Sequence, residues 1–206
     1  MRRRKRSWHT LAGSAPPGWL EPILRPIERL DRWRRRINPI RRGGLLGLER
    51  VRFRGEPVRL RDGTLVKAGD LIGELHFDNR RARELAAPGW QSAGIREARL
   101  DLAVLAAWSK RQPVARRPVA YHAETLLGAF ARRAGFEVRV APNDFMHRLR
   151  AWYLRALLAR WSPQGRARLD RGHRAARLSV LWLSEGSLRD LYGATKRRNA
   201  GQVPSQ

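Results

Sequence analysis

The chain has 206 residues, 42% of them hydrophobic and 30% charged, which is enough for one domain with a real core plus extensions. It has no cysteine, so a disulfide framework, a thiolate metal site and a cysteine nucleophile are all excluded. Its formal net charge is +26, and the four lysines (Lys5, Lys67, Lys110, Lys196) leave 40 of the 44 cationic residues as arginine. Such a charge attracts polyanions, whether nucleic acid or anionic lipid.

Residues 1–18 begin with a basic run, Met1-Arg2-Arg3-Arg4-Lys5-Arg6, and continue rich in Pro, Gly and Ala, which reads as a disordered basic tail. The run resembles the n-region of a signal peptide. The apolar stretch that follows, Leu11-Ala12-Gly13-Ser14-Ala15-Pro16-Pro17, is too short and broken for an h-region. A cytoplasmic protein is expected. Residues 19–44 form an amphipathic helical extension. Leu20, Ile23, Leu24, Ile27, Leu30 and Ile37 fall at helical spacing from Trp19 to Ile40, against Arg29, Arg32, Arg34, Arg35 and Arg36. The apolar stripe suits packing on the domain. It also suits peripheral contact of residues 19–40 with the anionic inner face of a membrane. Pro39 and Gly43-Gly44 end this unit.

The main domain is expected over residues 45–194, with a loose polar tail at 195–206. Strands are predicted over Leu48–Arg54 and Pro57–Leu60, a tight Asp62-Gly63 turn follows, and Leu65-Val66 leads through a second turn at Ala68-Gly69-Asp70 into a strand at Leu71–Phe77. Helices are predicted over Arg80–Ala87 and Ile95–Arg111. A strand at Pro118–His122 then leads into a helix at Ala123–Ala134, closed by Gly135. Phe136–Val140 alternates as a strand, and Asn143 or Asp144 caps a long helix to Trp161. Leu178–Leu183 reads as a strand and Ser187–Tyr192 as a closing helix. Hairpin-linked strands come first and helical crossovers follow. This is a single α+β domain with a mixed, mainly antiparallel sheet and packed helices.

Two segments carry candidate chemistry. In Gly73-Glu74-Leu75-His76-Phe77-Asp78-Asn79, the period-two alternation of a strand places Glu74, His76 and Asp78 on one face. A carboxylate beside His76 would tune it as a general base. The alternative is a polar strand face with a structural histidine. Asn79 closes the strand as a candidate ligand-binding group. In Tyr121-His122-Ala123-Glu124-Thr125, a strand-to-helix junction presents His122, Glu124 and Thr125 for ligand binding, with helix capping by Glu124 or Thr125 as the alternative. If this strand neighbours the first, His76, His122 and a carboxylate converge into a set that can hold a metal. The spacing carries no metal signature, and neither a metal nor a cofactor is expected. His9, His147 and His173 read as surface residues, and Trp90, Trp108, Trp152, Trp161 and Trp182 as core. The glycines of Gly69-Asp70-Leu71-Ile72-Gly73 suit turns and close backbone approach, not a nucleotide loop.

Three segments together resemble the YkoP-like family of bacterial domains. They are the run from Leu60-Arg61-Asp62-Gly63-Thr64 through Lys67-Ala68-Gly69-Asp70 to His76-Phe77-Asp78-Asn79; Ala134-Gly135-Phe136-Glu137-Val138; and Leu181-Trp182-Leu183-Ser184 with Leu188 and Tyr192-Gly193. The likeness runs from about Ile27 to Gly193. Members look like stand-alone proteins or tails on polysaccharide deacetylases, and occur beside glycosyltransferases. The resemblance implies a setting in cell-envelope polysaccharide or glycolipid metabolism. It carries no catalytic residue over, because the family has no established activity, and the deacetylase metal motif is missing here. Three functions stay open. One is an accessory domain that binds an anionic ligand or a glycan-pathway enzyme. Another is a small transferase or hydrolase using His76 as base. The third is a nucleic-acid binder.

Overall fold

The structure, a computed structural model, describes residues 37–84, 90–161 and 177–193. The basic tail, the amphipathic segment up to residue 36 and the C-terminal tail lie outside the described residues, as do His9 and His173. In chain order the elements are β1 (Asn38–Pro39), β2 (Leu46–Arg52), β3 (Val58–Arg59), β4 (Leu65–Val66), β5 (Leu71–Phe77), α1 (Asn79–Glu84), α2 (Trp90–Arg111), a single 3-10 turn (Val114–Arg116), β6 (Ala120–Thr125), α3 (Gly128–Arg133), β7 (Glu137–Val140), α4 (Phe145–Trp161), β8 (Ser179–Ser184) and α5 (Glu185–Tyr192). Six strands form one sheet in the order β1-β2-β5-β6-β8-β7, and β3 and β4 make a separate hairpin. Every pairing is antiparallel except β5 with β6, which is parallel and bridged by the crossover through α1 and α2. The fold is α+β with a mixed, mainly antiparallel sheet, as the pattern of hairpins followed by crossovers implies.

One face of the sheet carries the main core. Leu46, Leu48, Leu75, Tyr121, Leu181 and Leu183 point to the same side, and α2, α3 and α5 cover them with Leu102, Leu105, Ala131 and Leu188. Among the described residues the second face is covered at its two ends. The β3–β4 hairpin buries Leu60 and Val66 against Ile72, Ala120 and Trp182. Near the opposite end, α4 packs Ala151 against Leu126 and Leu178. Between these two caps the second face carries polar side chains. No helix among the described residues is long and apolar enough to cross a membrane.

Among the boundaries that differ from expectation, three have a physical reason that bears on the site. Residues 38–39 are not the end of a helix: they pair with Gly47 and Leu48 as an edge strand, and a proline is tolerated at a sheet edge. Ala123–Thr125 is strand, because the whole of Ala120–Thr125 pairs with Ser179–Ser184 and tertiary pairing overrides the helical propensity of Ala and Glu. The following helix starts only at Gly128. Gly135 does close that helix, at φ +87°, with its N–H bonded to the Arg132 carbonyl. Asp144 caps α4, its Oδ1 accepting from the His147 N–H at 2.8 Å.

The most buried charged group is Asp101, with no exposed surface, in the middle of α2. Its Oδ2 accepts from the backbone N–H groups of Leu45 (2.7 Å) and Leu46 (2.9 Å), and its Oδ1 from Arg41 Nε (2.9 Å). It therefore ties the start of β2 to the helical layer. Removing a buried carboxylate orphans the groups that it satisfied. Asp101→Ala is expected to lower the unfolding free energy by about 3 kcal/mol, read as a fall in the urea midpoint at unchanged slope. A loss under about 1 kcal/mol would mean that the loop holds without it.

Candidate functional site

The polar row begins with register. Glu49 on β2 lies opposite Glu74 on β5, Glu74 lies beside His122 on β6, His122 faces Trp182 on β8, and Trp182 faces Glu137 on β7. Paired residues point to the same side of a sheet, so these five side chains form one line across the second face. His76 joins it from two residues along β5, and Glu124 from two residues along β6.

Within this line the carboxylates and imidazoles meet. His76 Nε2 is hydrogen-bonded to Glu49 Oε2 at 3.0 Å and lies 3.9 Å from Glu74 Oε2. Glu74 reaches the other way too, its Oε1 3.9 Å from His122 Nδ1. Glu74 thus stands between two imidazoles from neighbouring parallel strands. The His122 ring leans on Trp182, with centroids 4.6 Å apart and planes at 49°. Trp182 is held from beyond by the edge of Phe53, 5.7 Å away at 84°. The side chains of Glu49, Glu74, His76 and His122 are 15%, 29%, 25% and 17% exposed, so the group is largely enclosed yet open to solvent.

Burial acts most strongly on His122 and holds its pKa below the ordinary histidine value, against the opposing pull of the Glu74 and Glu124 charges. Its neighbour in sequence, Tyr121, points to the helical side, is fully buried and has its pKa pushed up to about 12 by desolvation, so it stays protonated and takes no part in this row.

The residues expected from the sequence divide cleanly. Glu74 and His76 share a face and sit together, and His122 and Glu124 lie on that same face. Asp78 does not join them: the strand ends at Phe77, and Asp78 Oδ1 accepts from the Arg81 N–H at 2.9 Å as the cap of α1. Asn79 opens α1, and its side chain lies outside the described ones. Thr125 is buried on the helical side, its Oγ1 accepting from the Leu127 N–H at 3.0 Å, so it shapes the turn and does not face a ligand. Glu124 caps no helix; Arg150 Nη1 of α4 pairs with its Oε2 at 3.0 Å. His147, expected on the surface, is half-buried, bonded through Nδ1 to Asp144 Oδ2 at 2.6 Å and 3.9 Å from Glu124. Glu49 was missed. The signal for it was its alternation with Val51 in a strand whose other side is arginine, and only the pairing of β2 with β5 gives it meaning.

A family model for the YkoP domain matches residues 19–192. The chain belongs to the YkoP domain family. No curated protein and no solved structure matches it. The YkoP match includes the amphipathic segment from residue 19 and covers every strand of the sheet. The site of this YkoP domain is therefore assigned from its own geometry.

The buried imidazole makes a pH prediction. His122 titrates lower folded than unfolded, so the unfolded chain takes up the proton first on acidification. The stability that neutral His122 contributes is complete above about pH 6.5 and is lost as the pH falls below it toward the folded value. Histidine proton NMR is expected to show the His122 midpoint below the ordinary histidine value of about 6.5. Glu74→Gln is expected to move it down further, because the Glu74 charge raises it. An unchanged midpoint in the variant would show that the two groups do not interact.

Proposed function

We propose that this YkoP domain is an enzyme, a small transferase or hydrolase that performs acid–base chemistry at the Glu49–Glu74–His76–His122 group on a hydroxyl-bearing substrate. The observation that carries this reading is the 3.0 Å bond between Glu49 and His76, whose side chains both keep some exposure. A carboxylate bonded to one imidazole nitrogen fixes the tautomer and leaves the basic lone pair on the other, which is how a histidine is prepared to take a proton from a hydroxyl or water. Glu74, between the two imidazoles, stabilises whichever of them becomes charged. Trp182 is only 4% exposed, so it supports His122 and is not a stacking platform for a base or sugar.

The row itself is rich in carboxylates, so a neutral hydroxylated group docks on it more favourably than an anion does. An anionic part of the same substrate suits the arginine-rich surroundings. The substrate class, an envelope polysaccharide or glycolipid precursor, is the one that the family's setting implies. It is the reading on which the localisation also rests: the inner face of the membrane, where such precursors are assembled.

The test joins binding to turnover. The chain is titrated with nucleotide sugars and lipid-linked sugar phosphates while the histidine resonances are followed, and any ligand that moves His76 and His122 is incubated and analysed by mass spectrometry. His76→Ala and His122→Gln are each expected to lower turnover by roughly 10²–10⁴-fold while the protein stays folded. Turnover that survives both substitutions, or a His76→Ala protein that fails to fold while His122→Gln retains full activity, would give the row a structural role.

A further inference from the structure

Glu49 and Glu74 stand directly opposite each other on antiparallel neighbours. His76 Nε2 reaches into the same space, and one donor atom each from Glu49, Glu74 and His76 lies within 4.8 Å of the other two. A cation at the centre of these atoms would be attracted by both carboxylates. We infer that Glu49, Glu74 and His76 form a binding site for one divalent transition-metal ion of the manganese, iron or zinc class.

The donor geometry supports this. Carboxylate oxygens and imidazole nitrogens bind such ions at about 2.0–2.2 Å, which puts neighbouring ligand atoms about 3.0–3.4 Å apart. The Glu49–His76 separation of 3.0 Å is already in that range, and the Glu74–His76 separation of 3.9 Å needs only a rotation of the Glu74 carboxylate. All three residues sit within the paired stretch of β2 and β5, so the backbone holds them in place. The donor set also selects the metal. With no sulfur it does not favour copper(I), and an imidazole among the ligands does not favour magnesium or calcium, which take oxygen. Three protein ligands leave room for a water or a substrate oxygen, the arrangement of a catalytic rather than a structural site.

This inference rests on the reading of the row as the working site and gives its members separate tasks. His76 becomes a ligand, and His122, whose Nδ1 is 3.9 Å from Glu74 Oε1, is the imidazole left to handle protons. The ion supplies Lewis acidity and a bound water of lowered pKa.

The experiment uses the full chain, stripped with a chelator and titrated calorimetrically at pH 7 with zinc chloride and with manganese chloride. One ion per chain is expected, with affinity reduced at least tenfold by Glu49→Gln, by Glu74→Gln and by His76→Gln. His147→Gln, at the separate Asp144 pair, is expected to leave it unchanged. Folding is checked directly: each stripped variant should keep the wild-type circular dichroism spectrum and a cooperative melt. Added zinc should then raise the melting temperature of the wild type only. No saturable binding, or binding that persists undiminished in the Glu49→Gln/Glu74→Gln double variant, overturns the site. A chain that takes no metal yet shows the sugar-induced shifts at His76 and His122 loses this inference and keeps the proposed function. One that binds metal through these residues and answers to no sugar ligand does the reverse.

Discussion

The parallel pairing of β5 with β6 is the constraint on which the site depends. Among the described residues it is the one parallel pairing, and it sets Glu74 beside His122. A slip of one residue would send one strand's polar set into the helical core, so the register has to be fixed strongly. Gly73 and Tyr121 fix it. They are partners across the two strands on the helical face, and a Cβ at Gly73 would lie 2.6 Å from the Tyr121 ring and 2.8 Å from Leu48. The tyrosine ring occupies the space that any side chain at Gly73 would need. No other register gives that ring a glycine to lie over, because its neighbours on β5 on that side are Leu71 and Leu75. The core face thus dictates, through the pleat, where the carboxylates and imidazoles fall on the other.

A row of charged groups on the second face survives because that face is divided. The hairpin closes one end and is hooked down by Asp62, whose carboxylate accepts from the Ser184 hydroxyl and, at 3.1 Å, from Ser187. Desolvation there works to raise the Asp62 pKa, but the hydrogen bonds from Ser184, Thr64 and Ser187 outweigh it and hold it below the ordinary value. That contact lies at the N-terminus of α5, where a negative charge is favoured. Glu137 fastens the same hairpin by accepting from the Arg61 N–H at 2.9 Å. The hairpin so anchored buries Trp182, and Trp182 desolvates one side of His122. At the other end Arg150 and Glu124 join α4 to the sheet. The polar groups at the two ends are structural ties, and the four groups at the centre stand side by side, each partly exposed.

Much of this was legible in the sequence, and what was not has identifiable causes. The alternation Glu74-Leu75-His76-Phe77 is local, and so was the face shared by Glu74 and His76. Asp78 continued the alternation by count, but count cannot see that the backbone turns at Asp78 to begin α1. Ala123-Glu124-Thr125 has the composition of a helix, and only pairing with β8 makes it strand; the error placed Glu124 and Thr125 at a helix terminus and kept them apart from the sheet. Glu49 stood beside arginines in a short strand, with no motif to single it out. Glu49 and Ala123–Thr125 have roles set by partners far away in sequence, 27 residues for Glu49 and His76, whereas Asp78 is taken by a local cap three residues on. The convergence of His76, His122 and a carboxylate was conditional on one unknown, the adjacency of two strands, and that adjacency holds.

The charge of the whole chain and the charge of the site act over different distances. With 44 cationic side chains against 18 acidic ones, the field at long range is positive and draws polyanions to the surface. Salt at physiological strength screens that field within about 8 Å. Inside that distance the nearest groups decide, and in the central row they are two glutamates and two histidines. The long-range field therefore gathers anionic partners without choosing among them, whereas the row discriminates by the groups a ligand must place against carboxylates and imidazoles: hydroxyls, protons or a cation. On the proposed reading a phosphate-bearing sugar would satisfy both, its phosphate in the arginine-rich field and its hydroxyls on the row. A nucleic acid would satisfy only the first, since Trp182, the aromatic residue of the row, is buried and gives a base no stacking platform.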